Sequence, residues 1–216
     1  MFIGHFGLGM GAKRLDPKPS LGTLLMAAQF LDLLWPLFLI LGWEKVAVAP
    51  HQPPLLSLDF SYYPYSHSLV FALIWSVLFG GVYYAIRRDR GTALLLGALV
   101  FSHWALDYLT HIPDLPLSPW SDTKVGLGLW NSQAATIGAE SILFAGGIAL
   151  YLSRTRAKSW IGHLSFWSLV LLLAAFYASG FFSPPPSSTD GMGWMGMIQW
   201  ILILWGYWID RTRTVI

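Results

Sequence analysis

Six long apolar stretches constrain the fold of this chain more than any other feature of its sequence. They lie at about 21–43, 66–86, 92–110, 131–152, 160–182 and 194–209. Each is long enough, or nearly so for the last, to cross a hydrocarbon core of about 30 Å as a helix. Only 11% of the residues are charged, whereas soluble domains carry about 25%. The sequence therefore predicts an all-α, polytopic membrane helix bundle that forms one integral membrane domain over residues 1–216.

Basic residues mark one side of the predicted bundle. Eleven of the 13 lysines and arginines fall in the segments 13–18, 87–90, 154–158 and 211–213. These segments alternate with loops that carry only Lys45 and Lys124. The positive-inside rule therefore places the four basic segments in the cytoplasm. Because the basic residues occur in short clusters, no nucleic-acid partner is predicted, and the lipid bilayer is the expected surrounding.

The first twelve residues form a separate apolar segment that is too short to span. Its glycines include Gly4, Gly7 and Gly9, and small residues let helices approach closely. We predict a half-helix that pairs with the first span and brings His5 to the depth of Asp32. An interfacial amphipathic helix with His5 at the surface is the alternative.

Ionisable residues interrupt three of the apolar stretches. His103 and Asp107 are four residues apart in the third span, so a helix places them on one face. Asp32 lies in the first span, and Glu140 lies about 14 Å from the start of the fourth at helical rise. Such residues are costly in hydrocarbon and require a partner, a metal or a water-filled cavity. Each also has a structural alternative, in which it only hydrogen-bonds a neighbouring helix.

Two further features place polar groups near these carboxylates. Pro36 has no N–H, so it cannot bond the carbonyl oxygen of Asp32, and we expect a kink and a free carbonyl there. His67 begins the second span on the same side of the membrane as the outer end of the third, where His111 follows Asp107.

The residue types restrict the chemistry of any metal site. Cysteine is absent, so disulfides and thiolate ligands are excluded. Histidine together with carboxylates is the ligand mixture that Zn²⁺, Mn²⁺ or Fe²⁺ accepts. The expected cofactor is therefore a divalent metal, with zinc as the first candidate.

Three short motifs resemble a family of bacterial inner-membrane proteins that are usually labelled membrane-bound metal-dependent hydrolases. Its members typically show a His near the N-terminus and then P-D-x-D, H-R-G-x-T-H-S and H-x-x-x-D-x-L-T. The matching residues here are Gly4, His5, Asp32, Ser66, His67, Ser68, His103, Asp107, Leu109 and Thr110. The resemblance implies an inner-membrane location, a bound metal and hydrolysis.

The chain also departs from the motifs of that family. Leu31 and Leu34 stand in place of the Pro and the second Asp of P-D-x-D. Tyr62, Tyr63 and Pro64 stand in place of H-R-G. One candidate His ligand and one Arg of the family are therefore missing.

Three functions are compatible with this pattern. The first is a metal-dependent hydrolase for a lipid-like or membrane-delivered ester or phosphoester. Its predicted metal ligands are His5, Asp32, His67, His103 and Asp107. Asp107 or Glu140 would be the catalytic base.

The second is a proton- or ion-coupled transporter, although we find no internal repeat of the kind common in that class. The third is a non-catalytic membrane scaffold or subunit whose polar residues specify helix packing.

Overall fold

The computed structural model describes residues 1–49, 57–184 and 187–216. Within these residues the helices are α1 (Ile3–Gly11), α2 (Leu21–Ala28), α3 (Phe30–Ile40), α4 (Pro64–His67), α5 (Leu69–Arg87), α6 (Arg90–Thr110), α7 (Gln133–Leu152), α8 (Trp160–Ser179), α9 (Met192–Gly196) and α10 (Gln199–Thr212). The strands are β1 (Lys45–Val48), β2 (Leu58–Tyr62), β3 (Leu115–Ser118), β4 (Ser121–Val125), β5 (Thr155–Ala157) and β6 (Arg213–Val215). They pair in sequence order as three two-stranded antiparallel sheets.

The helices confirm the predicted membrane bundle. Helices α5, α6, α7 and α8 are each long and apolar enough to cross a membrane, as is the segment Met192–Thr212 that contains α9 and α10. The pair α2 and α3 qualifies as one broken span. Every predicted span therefore has a counterpart among the described residues. Large apolar side chains on these helices, such as Val77 and Leu171, are exposed and face the bilayer.

The first span is bent by 61° between α2 and α3, at Gln29. This break lies one turn before Asp32, whereas the sequence suggested a kink around Pro36, which is inside α3. The carbonyl oxygen of Asp32 does find a partner outside its helix, because Gln199 Nε2 lies 3.5 Å from it. The bend turns α3 away from α2 and places Asp32 beside α4 and α6.

Helix α1 is a buried half-helix, and the alternative of an interfacial helix does not hold, because His5 is only 1% exposed. Its tightest contact is with α7, where Gly7 and Gly147 face each other and a Cβ on either would collide with the other helix's backbone. Gly9 faces Leu25 and Ala28 of α2. The predicted pairing with the first span is therefore present, but α7 is the closer neighbour.

Contacts among the four basic segments hold them at one end of the bundle. Lys18 Nζ lies 2.6 Å from Asp89, which precedes α6. Lys158 Nζ donates to the carbonyl oxygen of Arg211, and Lys13 Nζ lies 3.8 Å from Asp210. This arrangement agrees with the orientation that the alternation of charge predicts. The strand pairs β1–β2 and β3–β4 belong to loops at the opposite, outer end.

Candidate functional site

The five predicted metal ligands lie together in the outer half of the bundle. They come from four helices: His5 from α1, Asp32 from α3, His67 from α4, and His103 with Asp107 from α6. Two overlapping groups have ligand atoms within 4.8 Å of one another. One consists of His5, His103 and Asp107, and the other of Asp32, His67 and His103.

Four contacts among these residues are close to the spacing of ligand atoms around one metal ion. Asp32 Oδ1 lies 3.4 Å from His67 Nε2 and 3.6 Å from His103 Nε2. Asp107 Oδ2 lies 3.2 Å from His103 Nε2 and 3.8 Å from His67 Nε2. Ligands at the usual Zn–N and Zn–O distances are about 3.3–3.6 Å apart in a tetrahedron. The donor set and its spacing therefore fit a divalent ion such as zinc.

His103 is fixed in the orientation that metal binding requires. Its Nδ1 lies 2.8 Å from the carbonyl oxygen of Ala28, in the last turn of α2. A carbonyl only accepts, so Nδ1 carries a proton, and Nε2 of the neutral ring is the nitrogen that can bind a metal. His103 is fully buried, and its Nε2 faces carboxylate oxygens of Asp107 and Asp32 at 3.2 and 3.6 Å. The bend at Gln29 thus supplies an anchor for the ring, because carbonyls in the last turn of a helix lack partners within that helix.

His67 is oriented through a relay that ends at Glu44. The Ser66 hydroxyl donates to Glu44 Oε2 at 2.7 Å, and Ser66 Oγ lies 2.7 Å from His67 Nδ1. Because the single hydroxyl proton goes to the carboxylate, Ser66 Oγ accepts from His67 Nδ1–H. His67 Nε2 is then free to bind a metal, as in carboxylate-oriented histidines of metal sites. Burial raises the pKa of Glu44, whereas its hydrogen bonds from Ser66 oppose that rise.

His5 joins the cluster by stacking. Its ring lies parallel to that of His103, with centroids 3.7 Å apart, and its Nε2 lies 3.0 Å from Asp107 Oδ1. The amino group of Met1 lies 2.6 Å from the same oxygen. His5 therefore approaches Asp107 on the oxygen opposite to the one that faces His67 and His103.

Glu140 lies outside both ligand groups. Its Oε2 accepts hydrogen bonds from the backbone N–H groups of Phe2 and Gly4, at 2.7 and 3.1 Å. These are donors at the start of α1 that no residue of that helix satisfies. The carboxylate thus holds α1 in place, and the catalytic role of Glu140 stays a prediction.

His111 also lies outside the ligand groups. Its Nδ1 lies 2.8 Å from Asp114 Oδ1, and its ring packs against Trp130 at 4.0 Å. Burial lowers the pKa of His111, and the hydrogen bond that His111 donates to Asp114 opposes that shift.

The structure gives site roles to two residues to which the sequence assigns none, Glu44 and the motif residue Ser66. The sequence treats Glu44 as part of a loop, and only its approach to Ser66 shows a link to His67. The structure also shows where the residues that depart from the family motif lie. Tyr62, at the position of the motif His, is 41% exposed and points away from the cluster. Tyr63, at the motif Arg, is buried beside His111 and Asp114.

A cavity of about 560 Å³ borders the cluster. Asp32, His67 and Asp107 line one end of it, and most of the remaining lining is apolar or aromatic side chains from α3, α8, α9, α10 and the outer loops. Its size lies within the usual range for small-molecule sites. The arrangement offers a polar, metal-competent centre that opens on an apolar space.

Comparison with known proteins identifies the family but not a relative of known structure. No curated protein and no solved structure matches the chain. Residues 64–183, more than half of the chain, match the YdjM inner membrane protein family. The matched region contains His67, His103, Asp107 and Glu140, whereas His5 and Asp32 precede it. The expected inner-membrane location is confirmed: the chain belongs to the YdjM inner membrane protein family.

Proposed function

We propose that this protein is a membrane-embedded, metal-dependent hydrolase of a lipid-like or membrane-delivered ester. The observation that carries the proposal is the spacing of the ligand atoms of Asp32, His67, His103 and Asp107, 3.2–3.8 Å apart for four of their pairs. The hydrogen bond that orients the His103 ring and the relay behind His67 support it further. Ligand orientation by such outer partners is typical of built metal sites.

The chain's own groups have distinct roles in this proposal. Asp32, His67 and His103 would hold the ion and leave a coordination position for water, and His5 and the amino group of Met1 support Asp107 from its Oδ1. A bound divalent ion of this kind supplies a water of lowered pKa and polarises a carbonyl or phosphoryl oxygen. Asp107 borders both the ligand set and the cavity, so we assign it, rather than Glu140, to receive the proton of the attacking water. Hydrolysis uses one water, whose oxygen replaces the ester oxygen at the cleaved centre, and the proton passes to the leaving alcohol.

The alternative with support of its own is a structural polar cluster in a non-catalytic subunit. His and Asp side chains at these distances also form ion pairs, and buried pairs of this kind specify packing in some proteins. The two functions differ in whether the cluster retains a divalent ion, because ion pairs between His and Asp alone hold a structural cluster together.

Elemental analysis of the purified protein tests the proposal. We expect about one divalent metal ion per chain after purification in detergent without chelators. The same preparation, loaded with zinc, should cleave palmitoyl esters of p-nitrophenol, and dialysis against a chelator should abolish the cleavage. A folded protein that neither retains zinc nor binds it on titration would contradict the proposal and favour the structural cluster.

A further inference from the structure

The cavity beside the metal-ligand cluster combines a polar end with a long apolar wall. Asp32, His67 and Asp107 lie at the polar end. The wall includes Trp35 of α3, Leu173 of α8 and Leu202 of α10. A site with this division of chemistry matches an amphiphile better than a small polar metabolite, because burying a polar group against an apolar wall without a hydrogen bond is costly.

Aromatic residues cover the cavity on the outer, aqueous side. Phe60 of the β1–β2 hairpin, Tyr63 and Trp130 form this aromatic cover and also line the cavity. The Phe60 ring lies 5.3 Å from that of Tyr63 and 6.5 Å from that of Trp130. These contacts join the two outer loops over the polar end of the cavity.

The cavity also borders the lipid-facing surface, between α8 and the α9–α10 segment. Four of its lining residues there are large, apolar and substantially exposed: Leu172, Phe176, Met195 and Ile198. Met195 is 70% exposed and Phe176 is 65% exposed. On helices that cross a membrane, such side chains face hydrocarbon. We call the gap between them the lateral portal.

The charge of the lining favours a neutral head group. No lysine or arginine lines the cavity in the part of the chain that the structure describes. The amino group of Met1 lies at the polar end, but it is already paired with Asp107. Phosphate recognition relies on arginine, lysine or an ordered array of backbone N–H groups. A carboxylic ester needs no such cation.

We propose that the cavity binds the hydrocarbon chain of a neutral acyl ester, which enters from the outer leaflet through the lateral portal. The inference rests on the proposed function in one respect, because it places the ester group beside Asp32, His67 and Asp107, where hydrolysis would occur. The acyl carbon then gains the water oxygen, its bond to the ester oxygen breaks, and the alcohol leaves with a proton. Occupation of the cavity by the chain does not itself require the metal.

Photolabelling in lipid nanodiscs tests this proposal without an activity measurement. The probe is a monopalmitoylglycerol with a diazirine in its acyl chain, and labelled residues are identified by mass spectrometry. Leu173 lines the cavity and is 1% exposed, whereas Leu171 on the same helix is 66% exposed and does not line it. We expect label at Leu173 and Leu202. Label confined to bilayer-facing residues such as Leu171 and Leu204 would overturn the proposal.

Variants of the lateral portal sharpen the test. Met195→Trp and Ile198→Trp narrow it from the α9–α10 side, and each should reduce labelling of Leu173 about tenfold, equivalent to roughly 1.4 kcal/mol. Leu171→Trp and Leu204→Trp are matched controls, since they add the same bulk to bilayer-facing positions, and they should leave labelling unchanged. Thermal unfolding identifies any variant that fails to fold. If both folded portal variants label normally, entry through this portal is excluded.

Two further labelling experiments test the head group and the metal separately. The matching monopalmitoyl phosphatidic acid probe should label Leu173 about tenfold less than the neutral probe; equal labelling would overturn the assignment of a neutral ester. His103→Ala should abolish metal binding while Leu173 remains labelled. If the wild-type protein binds no metal but Leu173 is labelled, the proposed hydrolase fails and the lipid cavity stands. If the wild-type protein binds metal but Leu173 is not labelled, the proposed hydrolase stands and neutral acyl esters are excluded as its substrates.

Discussion

The two ends of the bundle bury charged groups in different ways. At the basic end, Arg213 is 5% exposed and donates hydrogen bonds to Thr155 Oγ1, to the carbonyl oxygen of Thr155 and to that of Gly162. Its guanidinium also lies over the rings of Tyr151 and Phe166. In the outer cluster, fully buried His103 instead faces carboxylate oxygens of Asp107 and Asp32, at 3.2 and 3.6 Å.

This difference separates anchoring from binding. Arg213 is satisfied by its surroundings and ties β6 to β5 and α8. His103 instead faces two carboxylates and a second imidazole, next to a cavity. Arg213 therefore anchors the basic end, whereas the outer cluster is the part that binds a ligand under the proposed function.

The largest expected effect comes from removing the central ligand of the outer cluster. His103→Ala should weaken zinc binding by more than about 100-fold, since outer-shell changes alone cost about 10–100-fold. Zinc titration followed by elemental analysis measures the loss. His163→Ala is the matched control, because His163 lies on α8 and is exposed. Equal zinc binding by the two variants would show that the cluster is structural, like the basic end.

The relay behind His67 should have the next largest effect. Glu44→Gln removes the carboxylate that orients Ser66, so we expect zinc affinity to fall about 10–100-fold while the ligands themselves stay in place. Isothermal titration calorimetry measures the change. Asp59→Asn, at an exposed position of β2, removes an outer carboxylate that has no link to the cluster. If the Glu44→Gln protein binds zinc with wild-type affinity, the direct ligands alone determine metal binding.

Breaking the anchor at the basic end should change stability and not metal binding. Arg213→Gln loses hydrogen bonds from a buried charged group, which contributes about 2 kcal/mol. The unfolding temperature in detergent should fall by roughly 4–8 °C. Arg211→Gln serves as the control, because Arg211 is an exposed residue in the last turn of α10. A loss of zinc in folded Arg213→Gln protein would mean that the two ends are coupled, contrary to the comparison.

The smallest effect is expected at the exposed ion pair of the basic end. The hydrogen bond between Lys18 and Asp89 raises the pKa of Lys18 and lowers the pKa of Asp89. The Lys18 side chain is 66% exposed, so solvent and salt screen the pair. Lys18→Gln should therefore leave the unfolding temperature nearly unchanged at physiological salt. A marked decrease would show that surface pairs, and not only Arg213, hold this end.

Much of the candidate site follows from the sequence. The cost of ionisable groups in hydrocarbon singles out Asp32, His103 and Asp107, and the family motif adds His5 and His67. The sequence does not reveal the roles of Glu44 and Glu140. Both are carboxylates with unremarkable neighbours along the chain, and their partners, Ser66 and the start of α1, are distant in sequence.

The sequence by itself determined the spans, their orientation and the residues capable of binding a metal. These depend on hydrophobicity, charge and spacing along one helix, which are local properties. Only the tertiary structure decided that α1 crosses α7 at Gly7 and Gly147, that the first span breaks at Gln29, and that Glu44 reaches Ser66. Those outcomes depend on how side chains from different helices fit together, and the same packing gathered five predicted residues into one cluster and left a cavity beside it.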